Sequence, residues 1–426
     1  MRGVGRAREL AAFLGAVVVS TAGTRMSFLA VPWLVLSTTG SAVATGLVAF
    51  AEMAPYVTAQ ALSGPAVDRV GARRASVATD VAAALCTALV PVLFSLHLLS
   101  LPLLSLAVAA AGAARGVGDN ARGVLLPGVS AGAGVAIDRA SGLYDGASRL
   151  AGLAGLPAAG LIVALSSPLA ALLVDAATFA VSAGLVAAFV SGAAEPAHEG
   201  GEAEGYLATL AEGLRHLWGD RLLVGVAAMV LVTNFIDQAG GAVLVPVWAH
   251  GVAHSPVALG TLGGLLSLGS VGGNALATWL APRLPRRLTY AVGFLLAGAP
   301  RYAALALATR LSPVLAVVAV LGGLGAGSIN PVLGATFYER VPRPLQARVL
   351  GVFGASAWAG IPFGSLAAGA AVALVGLRVS LLGAAALYLL TTLAPFVLPV
   401  WRAMDRRPAP VGQAVDEAPV DVPGGG

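Results

Sequence analysis

Ten ionisable residues stand inside long apolar runs of this sequence: Arg25, Glu52, Asp80, Arg115, Asp119, Asp145, Arg149, Asp175, Asp237 and Arg301. If those runs cross a bilayer, a charge at mid-depth costs at least about 2.5–3.5 kcal/mol, so each must be paired or put to use. The chemistry open to a buried carboxylate is proton exchange, because desolvation favours its neutral form. Glu52 stands nearly alone midway along its run and Asp237 occupies another, so these two are the leading candidates for a proton carrier. Arg115 and Asp119 lie four apart, a spacing that fits a local salt bridge. Asp145 and Arg149 share that spacing and read as a structural pair. Asp80 and Asp175 read as structural partners of other groups. His250 and His254 are also four apart, with no acid or Cys beside them, and no metal site is expected there.

The elements that must position these residues follow from composition. Apolar residues make up 58% of the 426 positions and charged residues 11%, against about a quarter charged in soluble domains. The chain is therefore an integral membrane protein. A spanning helix needs about 20 mostly apolar residues, and dividing the sequence at Arg clusters and Pro/Gly breaks gives twelve. They lie near 10–36, 43–64, 75–96, 101–122, 139–164, 168–190, 222–249, 257–281, 288–309, 313–338, 347–374 and 378–401. The first follows Arg2, Arg6 and Arg8 and is too long for a cleavable signal. Cys86 is the lone cysteine, which excludes an intrachain disulfide.

Every basic residue is Arg, and the formal charge is +5. With the N-terminus inside, nineteen of the 25 arginines fall in alternate inside segments, the 122–139 gap among them; only Arg310 and Arg378 fall in outside loops. Positive charge collects on the cytoplasmic side, so both termini are expected in the cytoplasm of a multi-pass cell-membrane protein. The same distribution explains the basic balance without nucleic acid.

Residues 191–221 form the longest polar interval. Its first half reads as a flexible linker, and "YLATLAEGLRHLWGD" as a helix lying on the inner membrane surface. This divides the chain into six-helix bundles at 1–190 and 222–401, followed by a disordered tail at 402–426. The halves repeat: Pro32, Ser41, Ala44 and Gly46 align with Pro246, Ser255, Ala258 and Gly260, and Gly155 and Gly160 with Gly364 and Gly369. Parallel repeats of this kind place a substrate site between the halves near mid-membrane.

Between the second and third runs lies "GPAVDRVGARR". Gly64, Asp68, Arg69, Gly71, Arg73 and Arg74 resemble the signature loop of the major facilitator superfamily, with Ala72 interposed before the arginine pair. "VPRPLQARVLG", "GSINP" and "STAGTRMSFLAVPWLVL" resemble the branch of macrolide-type, siderophore-type and multidrug exporters. The resemblance implies an all-α membrane fold of twelve helices in two pseudo-symmetric bundles, with the loop acting as a gate between them. It departs in two places: "GLPAAG" carries an extra Leu156 in the fifth-helix antiporter motif, and Thr24, followed by Arg25, stands just after Gly23, where relatives often carry an acid.

The resemblance further implies that the first and seventh helices face a central cavity, where Arg25 and Asp237 would meet. It associates Arg115 with proton coupling, beside Asp119. Trp33, Tyr56, Asn234, Phe235, Gln238, Asn330 and Trp358 are the expected lining for a bulky organic substrate. The expected activity is alternating-access export of a hydrophobic or amphipathic small molecule in exchange for protons. Proton-coupled import or facilitated diffusion of a metabolite stays open. There is no phosphate-binding GxxxxGK[ST] loop and no DDxxD cluster, so neither an enzyme nor a cofactor is expected.

Overall fold

A computed structural model describes residues 2–191, 203–280, 283–342 and 345–405, and among these it is helical with no β-strand. Twelve helices are long and apolar enough to cross a membrane. In order they are Ala7–Thr39, Ala42–Leu62, Ala72–Ser95, Leu101–Ala133, Ile137–Leu165, Pro168–Phe189, Arg221–Gly251, Pro256–Leu280, Arg286–Leu307, Pro313–Arg340, Arg348–Val375 and Leu377–Val397. Several start on one local device, a serine followed by proline. Ser167, Ser255 and Ser312 accept the N–H of Ala170, Ala258 and Leu315 at 3.1, 3.2 and 3.3 Å. The proline then fills the first helical position, where no N–H is needed.

The internal repeat is visible in these caps. Ser41 accepts the N–H of Ala44 at 3.1 Å as its repeat partner Ser255 accepts that of Ala258. It is visible again where the two halves meet. Gly46 of the second span lies against Ser365 and Gly369 of the eleventh, and Gly260 of the eighth against Leu156 and Gly160 of the fifth. These are two copies of one contact, each made of backbone on backbone because a Cβ on Gly160 would come within 2.7 Å of the Pro256 oxygen. Both lie toward the Arg-poor end of the bundle.

Within the first half, the fourth span packs on the second through Gly112 and Gly116, which rest on the backbone of Glu52 and Tyr56. The tenth packs on the eighth likewise, Gly323 and Gly327 lying on Leu266 and Ser270. The fourth helix runs on to Ala133 and ends at Gly134, whose φ of 69° caps it. At 1.5 Å per residue its 33 residues span about 50 Å, beyond the roughly 30 Å hydrocarbon core. Arg122, assigned above to a loop, is therefore inside this helix and buried.

The seventh span is interrupted by a π-helical turn at Gly240–Leu244, where Gly240 makes room for the Tyr302 ring. Below it, Asn234 Nδ2 donates to the Ala357 oxygen of the eleventh span at 2.9 Å. Above it, Trp248 Nε1 donates to the Ala308 oxygen beyond the ninth at 3.0 Å.

The helix Ala203–Gly219 packs against the start of the eleventh span, with Gly213 on the Arg348 backbone and Glu212 paired to Arg348. The expected flexible stretch before it falls outside the described residues. At the end of the described chain Trp401 and Met404 are buried, and Trp401 is stacked on Tyr290 at 5.8 Å. Residues 402–405 of the expected tail belong to this packed end; residues 406–426 lie outside the described residues.

Asp220 joins two elements at once. Its Oδ1 accepts the N–H of Leu222 at 2.8 Å, capping the seventh span, and its Oδ2 accepts from Arg340 of the tenth at 2.8 Å. Asp220→Ala is expected to cost about 1–3 kcal/mol, read as a lower melting temperature in detergent. Asp220→Asn, which keeps the cap, should recover part of it.

Candidate functional site: a central cavity and its ion pairs

The halves enclose a cavity of about 450 Å³. Its walls are mostly apolar, including Phe28, Met53, Leu156, Leu262 and Leu266, and its polar points are Arg25, Glu52, Asn234, Asp237, Gln238 and Arg301. The π turn contributes Gly241 and Ala242, so the wall beside Asp237 is backbone and a methyl group. The sequence reading missed this turn and the apolar wall.

Of the expected lining, Asn234 and Gln238 face the cavity and five residues do not. Trp33 meets His250 edge-on with centroids 5.1 Å apart. Tyr56 stacks on Trp358 at 6.2 Å and donates to Asp119 at 2.9 Å. Phe235 packs its backbone against Gly364, and Asn330 is exposed on its helix. The Arg25–Asp237 meeting also gives way: both line the cavity, but Asp237 is held by Arg301 at 2.8 Å, with Tyr302 and Tyr388 donating at 3.3 and 3.4 Å. Arg301, which sequence alone left without a partner, owes its position to this carboxylate. Asp237 retains 43% side-chain exposure and lines the cavity.

Arg115 does not bridge to Asp119. Gly112 brings the second helix so close that Arg115 reaches Glu52 instead, and both side chains are nearly inaccessible, at 6% and 7%. Asp119 is held by Arg122 at 3.0 Å and Tyr56. Arg122 also pairs with Asp80, whose second oxygen accepts from Ser182 at 2.7 Å. Asp80 and the Asp145–Arg149 pair, at 2.8 Å, are thus structural partners as expected. Asp175 instead has no ion pair among the described residues; Ser27 and Thr178 hydrogen-bond it, and it lies with Glu52 and Arg115 around a smaller cleft.

The segment carrying Gly64, Asp68 and Arg69 is a short helix, Gly64–Val70, ended by Gly71 at φ 91°. Val67 is buried among Phe13, Ala121 and Val186 of the first half. Arg73 donates to the Ala187 oxygen of the sixth span at 2.5 Å. Among the described residues no ion pair joins Asp68, Arg69 or Arg74 to the second half, whereas Arg149 of the fifth span does reach across, donating to Ser270 of the eighth at 2.8 Å. Among the described residues no cluster of His, Cys, Asp or Glu is placed to hold a metal.

Twelve apolar helices, a symmetric pair of glycine contacts between halves, and a charged yet largely apolar cavity at their junction define a membrane transporter. A sequence model of the Major Facilitator Superfamily matches residues 13–283 and 227–422, and the chain belongs to that family. It is 33% identical over 414 residues, 94% of this chain and 97% of the relative, to the multidrug efflux pump Tap of Mycobacterium tuberculosis (strain ATCC 25618 / H37Rv). It is 29% identical to the multidrug efflux pump Tap of Mycolicibacterium fortuitum, over 92% of this chain and 96% of that one. Among solved structures, the nucleoside transporter NupG superposes with a TM-score of 0.72 over 93% of this chain and 98% of that one, at 12% identity, a likeness of fold alone.

Proposed function

We propose that this chain exports amphipathic, drug-like molecules across the cell membrane in exchange for protons, with both termini in the cytoplasm. The observation that carries this reading is its end-to-end likeness to two pumps named for multidrug efflux. The cavity supports it, since apolar walls with a few polar anchors suit bulky amphiphiles. Residues 1–190 and 222–401 act as the two rocking units, turning about the paired glycine contacts around a site at their junction. Because those contacts draw the halves together at the Arg-poor end, the cavity is placed to load from the cytoplasmic side. The signature segment closes against the second half only in the opposite conformation.

For the coupling site, the grouping of Glu52 and Asp175 around Arg115 favours these residues over Asp237. Two carboxylates about one guanidinium leave one negative charge unmatched, a place where a proton can bind. The test uses liposomes loaded with a pH-sensitive dye, an imposed proton gradient and a panel of amphiphiles. Wild type should show ligand-dependent proton flux, and Glu52→Gln or Asp175→Asn should lose it while Asp237→Asn keeps it. Ligand transport without proton movement in wild type would sink antiport and point to a facilitator.

A further inference from the structure

Among the described residues one cation at the cavity has no ion-pair partner. Arg25 lines it from the first span, with its stem lying over Gly152 and Gly155 of the fifth. Its Nε is buried without a hydrogen-bond partner. Among the described residues no carboxylate forms an ion pair with its guanidinium, which lies 5.7 Å from the centroid of the Phe28 ring. The acids nearby are engaged elsewhere: Glu52 by Arg115, Asp119 by Arg122 and Tyr56, and Asp237 by Arg301 and two tyrosines. Asp175 is bonded to Ser27 and does not line the cavity. Arg25 therefore faces the cavity without an ion pair of its own among the described residues, and Asp119 acts on it only through space.

An unpaired guanidinium in a desolvated site is costly, and the group that relieves it best is a planar carboxylate accepting two parallel N–H bonds. We propose that the cavity takes amphiphiles carrying a carboxylate, and that Arg25 receives that group while the apolar body lies against Phe28, Met53 and Leu262. This rests on the cavity being the substrate site and names the class of molecule it selects.

The test is equilibrium binding to the full chain in nanodiscs of zwitterionic lipid, with 1-pyrenebutyrate and its uncharged methyl ester as fluorescent probes. Wild type should bind the acid at least about tenfold more tightly than the ester, the scale of one good charge-assisted pair. Arg25→Gln should remove that preference, so that acid and ester bind alike, and continued binding of the ester shows that the variant is folded. Arg25→Lys should keep part of it. Equal affinity for acid and ester in wild type, or a preference that survives Arg25→Gln, overturns the proposal. Neither result bears on the direction of transport, which the dye-loaded liposomes decide separately.

Discussion

Glu52→Leu alone should destabilise the protein by about 3–5 kcal/mol, because it strands the Arg115 guanidinium in a place with almost no solvent access. The expected readout is a marked drop in melting temperature in detergent, with poor recovery of folded protein. Glu52→Leu/Arg115→Leu removes both charges, and apolar replacement of a buried pair is often neutral or better for stability. The double variant should therefore regain most of the lost stability yet remain inactive in proton-linked transport. A double variant that is stable and still couples transport to protons would make the pair a packing feature only. A single variant as stable as wild type would mean that Asp175, hydrogen-bonded by Ser27 and sharing the cleft, takes over as partner of Arg115.

Gly260→Val should produce the second large effect. A Cβ there would come within 2.6 Å of the Leu156 oxygen and 3.1 Å of Gly160 Cα, so the fifth and eighth spans must part. Overpacking of this kind costs about 1–3 kcal/mol. That cost falls on the conformation shown and not on one in which this end is open. A bias of that size shifts the ratio of two states by about 5–150-fold. The check is a cavity cysteine, Gln238→Cys in a Cys86→Ala background, labelled with a membrane-impermeant maleimide added to either side. Gly260→Val should raise labelling from the side opposite the termini and stop turnover. Unchanged labelling together with normal turnover would show that the contact does not gate the cavity.

Much of the architecture can be read from local sequence. Run length against bilayer thickness sets the spans, serine–proline starts set several of their ends, and Ser41/Ser255 and Gly46/Gly260 mark equivalent positions of two repeats. The site is legible only in part. Asp145 and Arg149, one turn apart, do pair, but the same spacing misleads for Arg115 and Asp119. A long side chain beside a glycine contact can choose a partner 63 residues away, and helical periodicity says nothing about which neighbouring helix comes so close. The same limit hides the bond between Asp237 and Arg301. Conversely, large aromatic and amide residues such as Trp33, Phe235 and Asn330 make plausible cavity walls by type alone, yet their helices turn them elsewhere. Gly241 and Ala242 line the cavity because of where the π turn aims them, and residue type carries no trace of that.

That turn also divides the mechanics of the seventh helix. The segment below it is tied to the eleventh helix through Asn234, and the segment above it to the end of the ninth through Trp248. Between them Gly240–Leu244 forms a wider turn with one residue more than an α-turn holds. The helix thus behaves as two shafts joined by a swivel: torque applied at one end need not be transmitted to the other. Asp237 sits on the lower shaft, just under the swivel, where Arg301 and Tyr302 fasten it to the ninth helix, so a turn of the lower shaft has to carry or break that ion pair.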